Sequence, residues 1–137
     1  MSRVELGPID HVGVLVPDLE QAKRLYLEEL GFVLEREASM DDLGLEAAFL
    51  RPGGGGPMVE LVQLTVEGKR VPVIANTALG LDHVAIGVAD IEATIAALAD
   101  AGVETTTGVL ELGGRRTVFT RPETSGGVVY QFLQASA

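Results

Sequence analysis

The stretch IDHVGVLVPDLEQA (residues 9–22) decides the fold, because a second copy, LDHVAIGVADIEAT (residues 81–94), follows it in the same chain. His11 and His83 are the only histidines, and they occupy the same place in the two copies. Asp10/Asp82, Val12/Val84, Val16/Val88, Asp18/Asp90 and Glu20/Glu92 match as well. In each copy an alternating, β-branched run predicts a strand. An aspartate then stands as N-cap before a stretch with apolar residues at helical spacing, and a glycine (Gly31, Gly102) stops the helix.

The repeat extends further. FLRPGGGGPMVELVQ (49–63) aligns with FTRPETSGGVVYQFLQ (119–134) when one residue is inserted. Phe49, Arg51 and Pro52 fall on Phe119, Arg121 and Pro122; Glu60 falls on Gln131, and Gln63 on Gln134. FVLEREAS, LEAAFLRP and MVELVQLTV read as three strands in the first half, and three more are expected in the second. PGGGGP (52–57) is a hairpin loop. The expected fold is therefore α+β: two tandem βαβββ modules in a single domain over 1–137. Module 1 covers about 8–66, the connector about 67–79 and module 2 about 80–134. Each module is too small to cover both faces of its own sheet. The two are expected to pack with approximate two-fold symmetry into a curved mixed sheet around a central cavity.

Composition narrows the function. The chain has 137 residues, 47% of them hydrophobic, and no cysteine, so disulfides, thiolate metal sites and a cysteine nucleophile are excluded. The formal net charge is −10 with no basic block, which argues against nucleic acid and anionic membrane surfaces as partners. No apolar run approaches the roughly 20 residues of a membrane-spanning helix, and the N-terminus lacks the order of a signal peptide, so a cytoplasmic location is expected.

The strand faces locate the chemistry. Side chains alternate along a strand, so Val12, Val14 and Val16 share one face, and His11, Gly13 and Leu15 the other. In the repeat, His83, Ala85 and Gly87 share a face. Small residues beside a histidine leave room for a ligand. Glu60 and Gln131 sit in the middle of apolar strands, where a carboxylate is costly to bury unless paired or metal-bound. His11, Glu60, His83 and Gln131 thus form a candidate N/O ligand set for a divalent metal ion (Zn, Ni, Co, Mn or Fe). Arg115 and Arg116 are candidates for contact with a phosphate or another acidic group of a substrate. Ser125, at the head of Ser-Gly-Gly, is a candidate anion contact.

The repeated DHV…V.D.E.A pattern, the VEL run and the closing GGVVYQF resemble the vicinal oxygen chelate superfamily over essentially the whole chain. Its branches include glyoxalase I, methylmalonyl-CoA epimerase, extradiol dioxygenases and bleomycin-type resistance proteins. The resemblance implies ligand positions at His11, Glu60, His83 and Gln131, enolate chemistry assisted by a metal, and a homodimer. Within the superfamily the sequence looks most like methylmalonyl-CoA epimerase. It departs from that pattern at Asp82, where a histidine is usual, and at Gln131, where Glu is usual. Where some epimerases carry a second carboxylate the register gives Ala47, with Glu46 adjacent. The expected function is accordingly a metal-dependent epimerase or isomerase acting on a small acyl thioester such as an acyl-CoA. Glu60 and Glu46 are its candidate proton-transfer groups. The alternatives are a glyoxalase-type lyase acting on a glutathione adduct, a metal-free binding or resistance protein, and, last, an extradiol dioxygenase.

Overall fold

The computed structural model describes residues 4–41, 44–65, 80–106 and 108–134. The expected connector, about 67–79, lies outside them. The chain divides into two compact units, His11–Asp82 and Met1–Asp10 together with His83–Ala137.

In the first unit β1 (Ile9–Leu15) leads into α1 (Leu19–Arg24), which continues as a π-helical segment, Leu25–Glu29. Then come β2 (Val33–Met40), β3 (Leu45–Arg51) and β4 (Met58–Leu64). The strands lie in the order β2-β3-β4-β1, with β1 parallel to β4 and the other neighbours antiparallel. Asp18 caps α1 by accepting from the Gln21 backbone N–H at 3.0 Å. The helix ends at Gly31, whose φ of 77° suits a residue without a side chain. Leu19, Ala48, Leu50 and Leu61 form the core under the helix, joined by Val14, Val16 and Tyr26.

The second unit repeats the arrangement. β5 (Gly80–Val88) is followed by α2 (Ile91–Asp100), β6 (Leu110–Leu112), β7 (Arg115–Phe119), a 3-10 turn at Pro122–Thr124 and β8 (Tyr130–Gln134). The order is β6-β7-β8-β5, with β5 parallel to β8. Asp90 caps α2 through the Ala93 N–H at 3.1 Å, and Gly102 ends it with φ 81°. Ile86, Val88, Ile91, Leu98, Val118 and Phe132 form its core.

The matched glutamines also have one function. Gln63 accepts from the Leu19 backbone N–H at 2.8 Å, and Gln134 accepts from that of Ile91 at 2.9 Å. Each side chain thus reaches from the last strand of its module to a helix N–H that has no partner within the helix. One departure from the expected modules lies at the N-terminus, where the segment before β1 belongs with the second unit. Gly7 N–H donates to the Gly87 carbonyl at 2.7 Å, Gly87 N–H donates to Pro8 at 2.9 Å, and Val4 packs on the second core. No helix among the described residues is long and apolar enough to cross a membrane.

Candidate functional site

In each module the sheet has one face covered by the helix and one opposite face, and the polar residues of interest are on the latter. In the first unit, β-ladder pairing puts Gly13 beside Glu60 and Phe49 beside Glu60. The residues His11, Gly13, Glu60 and Phe49 therefore share a face. His11 Nε2 and Glu60 Oε1 are 3.3 Å apart, with the histidine 3% and the glutamate 9% exposed. The His11 ring meets Phe49 edge to face, with centroids 5.4 Å apart and planes at 88°. Phe49 thus fixes the imidazole while closing that side of the couple to water.

The second unit builds the counterpart from equivalent positions. Ala85 and Phe119 both stand beside Gln131 in the ladder. The His83 ring meets Phe119 edge to face at 5.8 Å and 80°. His83 and Gln131 are 3% and 4% exposed. Gln131 Nε2 donates to Thr117 Oγ1 at 3.1 Å, and Thr117 Oγ1 donates to the Phe132 carbonyl at 2.8 Å. This chain of bonds occupies the amide nitrogen, so the carbonyl oxygen is the atom of Gln131 left for a ligand. Thr117 was not singled out from the sequence. Its signal was its place two residues before Phe119, on the same strand face.

The remaining sequence candidates fall elsewhere. Glu46 is exposed and opposes Gln63, on the same face as Ala48 and Leu50, so the pleat of β3 turns it towards α1 and away from His11 and Glu60. The residue on the His11 face at that level is Ala47, which opposes Val62. Arg116 is also on a helix-bearing face, where its two terminal nitrogens bond both oxygens of Glu92 on α2. That pairing lowers the Glu92 carboxyl below its usual pKa and raises the guanidinium. Ser125 holds its own loop together, with its hydroxyl bonding Thr120 Oγ1 at 2.8 Å and donating to the Val128 carbonyl at 2.7 Å. Arg115, by contrast, lies on the Thr117 and Phe119 face. Its Nη1 and Nη2 each donate to one oxygen of Asp10 at 3.2 Å. Asp10, one of the repeat-matched residues, is therefore the brace of Arg115.

With this geometry in view, the family follows from comparison. Residues 10–119 match the Glyoxalase/Bleomycin resistance protein/Dioxygenase superfamily, and the chain belongs to that superfamily. Among its members the chain is similar to methylmalonyl-CoA epimerases. It is 28% identical to the mitochondrial methylmalonyl-CoA epimerase of Mus musculus over 96% of this chain and 75% of that one. The crystal structure of methylmalonyl-CoA epimerase from Mycobacterium tuberculosis superposes with a TM-score of 0.84 at 25% identity, covering 100% of this chain and 93% of that one. A Streptomyces coelicolor methylmalonyl-CoA epimerase in complex with 2-nitronate-propionyl-CoA matches with a TM-score of 0.82 at 27% identity, over 97% of this chain and 100% of that one.

Proposed function

We propose that this protein is a metal-dependent epimerase of a small acyl thioester and that methylmalonyl-CoA, the substrate in the names of its relatives, is its substrate. The observation that carries this is the repeat-matched set of buried polar residues, His11 paired with Glu60 in one unit and His83 and Gln131 at the equivalent positions of the other, in a chain that aligns with such epimerases over nearly its whole length. Two imidazole nitrogens, one carboxylate oxygen and one amide oxygen fit a divalent first-row metal ion. When bound, such an ion would supply Lewis acidity towards the thioester carbonyl and an oxygen of the acyl carboxylate.

The rest is the work of the chain. The imidazoles of His11 and His83, each packed edge to face on a phenylalanine, supply nitrogen donors of fixed direction. Gln131 supplies an oxygen and takes no proton, so Glu60 is the group that removes the proton from the α-carbon. The electron pair of the broken C–H bond passes into the carbonyl to give a planar enolate. Return of a proton to the same face restores the starting epimer. Delivery from water to the other face gives the opposite one, and the hydroxide left behind takes the proton held on Glu60. Glu46, turned towards α1, has no part in this. Arg115, held by Asp10 on the Gln131 face, is the candidate for an acidic group of the substrate. The proposal takes the protein as a cytoplasmic homodimer, with the exposed Leu25, Leu30, Val33 and Leu34 of module 1 as apolar surface for the contact.

A glyoxalase-type reaction on a glutathione adduct is the second reading. It is favoured by Gln131, which leaves one carboxylate among the four matched positions. Elemental analysis of the purified protein, followed by solvent-deuterium exchange into methylmalonyl-CoA and into the methylglyoxal–glutathione adduct, separates the readings. Bound metal and exchange into the thioester alone are expected, with Glu60→Gln slowing exchange at least about 100-fold. Protein without metal that exchanges neither compound after Ni, Co, Mn or Zn addition would leave a binding protein and overturn the enzyme.

A further inference from the structure

Strand β2 is out of simple register with β3. Leu34 opposes Leu50, yet the next pair is Arg36 with Phe49, so Glu35 is an extra residue. A bulge of this kind re-aims the side chains that follow it. Without it, residue 35 would stand opposite Phe49, and Arg36 would fall beside Ala48 on the helix-bearing face. The extra residue exchanges the two. A cation, rather than a carboxylate, is set on the face that carries His11 and Glu60.

The environment of Arg36 fits this placement. Its guanidinium carbon lies 3.7 Å from the Phe49 ring centroid, and that same ring receives the edge of His11. Glu35 and Glu37, its neighbours in sequence, are engaged by Arg51 and Lys23. Arg115 meets Asp10, Arg116 meets Glu92, and Arg121 lies by Glu104 and Glu123. Arg36 makes no ion pair among the described residues, in a chain of net charge −10. Stacking occupies the flat face of a guanidinium and leaves the N–H groups of its rim, which match a carboxylate or phosphate in two parallel bonds. Phe49 pairs with Arg36 on one side and Glu60 on the other, so the cation stands one strand beyond the ring that packs on His11.

We infer that Arg36, set by the bulge at Glu35 and stacked on Phe49, binds an anionic oxygen group of the thioester substrate and so determines which thioesters are accepted. This rests on the epimerase reading for the identity of the substrate. Two groups of methylmalonyl-CoA share that chemistry, the acyl carboxylate and the CoA phosphates.

The test is calorimetric titration of the purified, metal-containing protein with three probes. These are methylmalonyl-CoA as the equilibrated mixture of epimers, methylmalonyl-pantetheine, which lacks the phosphates, and propionyl-CoA, which lacks the acyl carboxylate. Arg36→Ala is expected to weaken methylmalonyl-CoA binding about 10- to 100-fold, with Arg36→Lys in between. A loss that persists with methylmalonyl-pantetheine assigns the carboxylate; a loss confined to the two CoA compounds assigns a phosphate. The midpoint of thermal unfolding is expected to hold, since Arg36 is exposed on β2. Arg36→Ala protein that binds all three probes within twofold of wild type, or wild type that binds none, overturns the inference. Failure of the epimerase reading shows separately, as wild type that binds through Arg36 yet exchanges no deuterium.

Discussion

Thr117→Val tests the link between packing and the proposed ligand set. Thr117 is fully buried, and valine has nearly its shape, so the variant opens no cavity. The loss is polar. One bond to the Phe132 carbonyl (2.8 Å) and one from the Gln131 amide (3.1 Å) disappear, each contributing about 1 kcal/mol. The Gln131 N–H, in a residue only 4% exposed, then lacks this acceptor and adds roughly 1–3 kcal/mol of desolvation. Expected destabilisation is about 3–5 kcal/mol, or a fall in Tm of roughly 10–18 °C for a chain of this length. Gln131 also loses what orients its carboxamide. Loss of a partner that orients a ligand typically reduces metal affinity 10- to 100-fold, and a similar fall is expected here. Scanning calorimetry reads the first effect, and competition for Zn²⁺ or Co²⁺ against a chelator reads the second. Thr117→Ser keeps the hydroxyl and should restore metal affinity. A Thr117→Val protein of lowered Tm whose metal affinity stays within twofold of wild type would remove Gln131 from the ligand set.

Further outcomes follow from the fold. Gln63→Ala and Gln134→Ala each deprive a helix of the same bond, so each should cost about 1–2 kcal/mol in chemical denaturation; a large inequality would argue against the repeat-matched role. In Gly7→Ala the new Cβ would lie 2.8 Å from the Gly87 carbonyl oxygen, a backbone atom that has little freedom to give way. The segment before β1 should loosen, read as faster amide exchange at Gly7 and Gly87, and unchanged protection there would refute the contact. The Lys23 pKa is raised by its hydrogen bonds to Glu20 and Glu37. A raised folded-state pKa contributes stability in full below the unfolded value of 10.5, and loses it as pH climbs through the higher folded value. Glu37→Gln should therefore flatten the alkaline fall in stability while leaving acid unfolding little changed; an identical alkaline profile would refute the assignment.

Much of this fold is legible in the sequence because the chain states it twice. One alternating strand with an Asp cap and a Gly stop is a common pattern. Two copies carrying His, Asp and Glu at the same places predict matched modules, and the strands and helices of both units follow that prediction. The pairs His11/His83, Glu60/Gln131 and Gln63/Gln134 were readable for the same reason: symmetry gives equivalent residues equivalent surroundings. The faces of Glu46 and Arg116 were within reach as well. Strand alternation counted from Phe49 and Phe119 assigns both to the helix-bearing side.

Three features required the tertiary structure. The bulge at Glu35 lies in a run of alternating charge, Glu35-Arg36-Glu37, where a one-residue slip leaves no trace in the hydrophobic pattern; only the pairing with β3 shows which charge faces His11. The brace of Arg115 by Asp10 joins residues 105 positions apart, and nothing local in either marks the other. The segment before β1 precedes module 1 in the chain, yet its hydrogen bonds are to Gly87 in module 2. Local composition determines which residues form a strand and which face each side chain takes. Contacts between distant segments depend on how strands pair in space, and here those contacts decide which charges stand beside the proposed site.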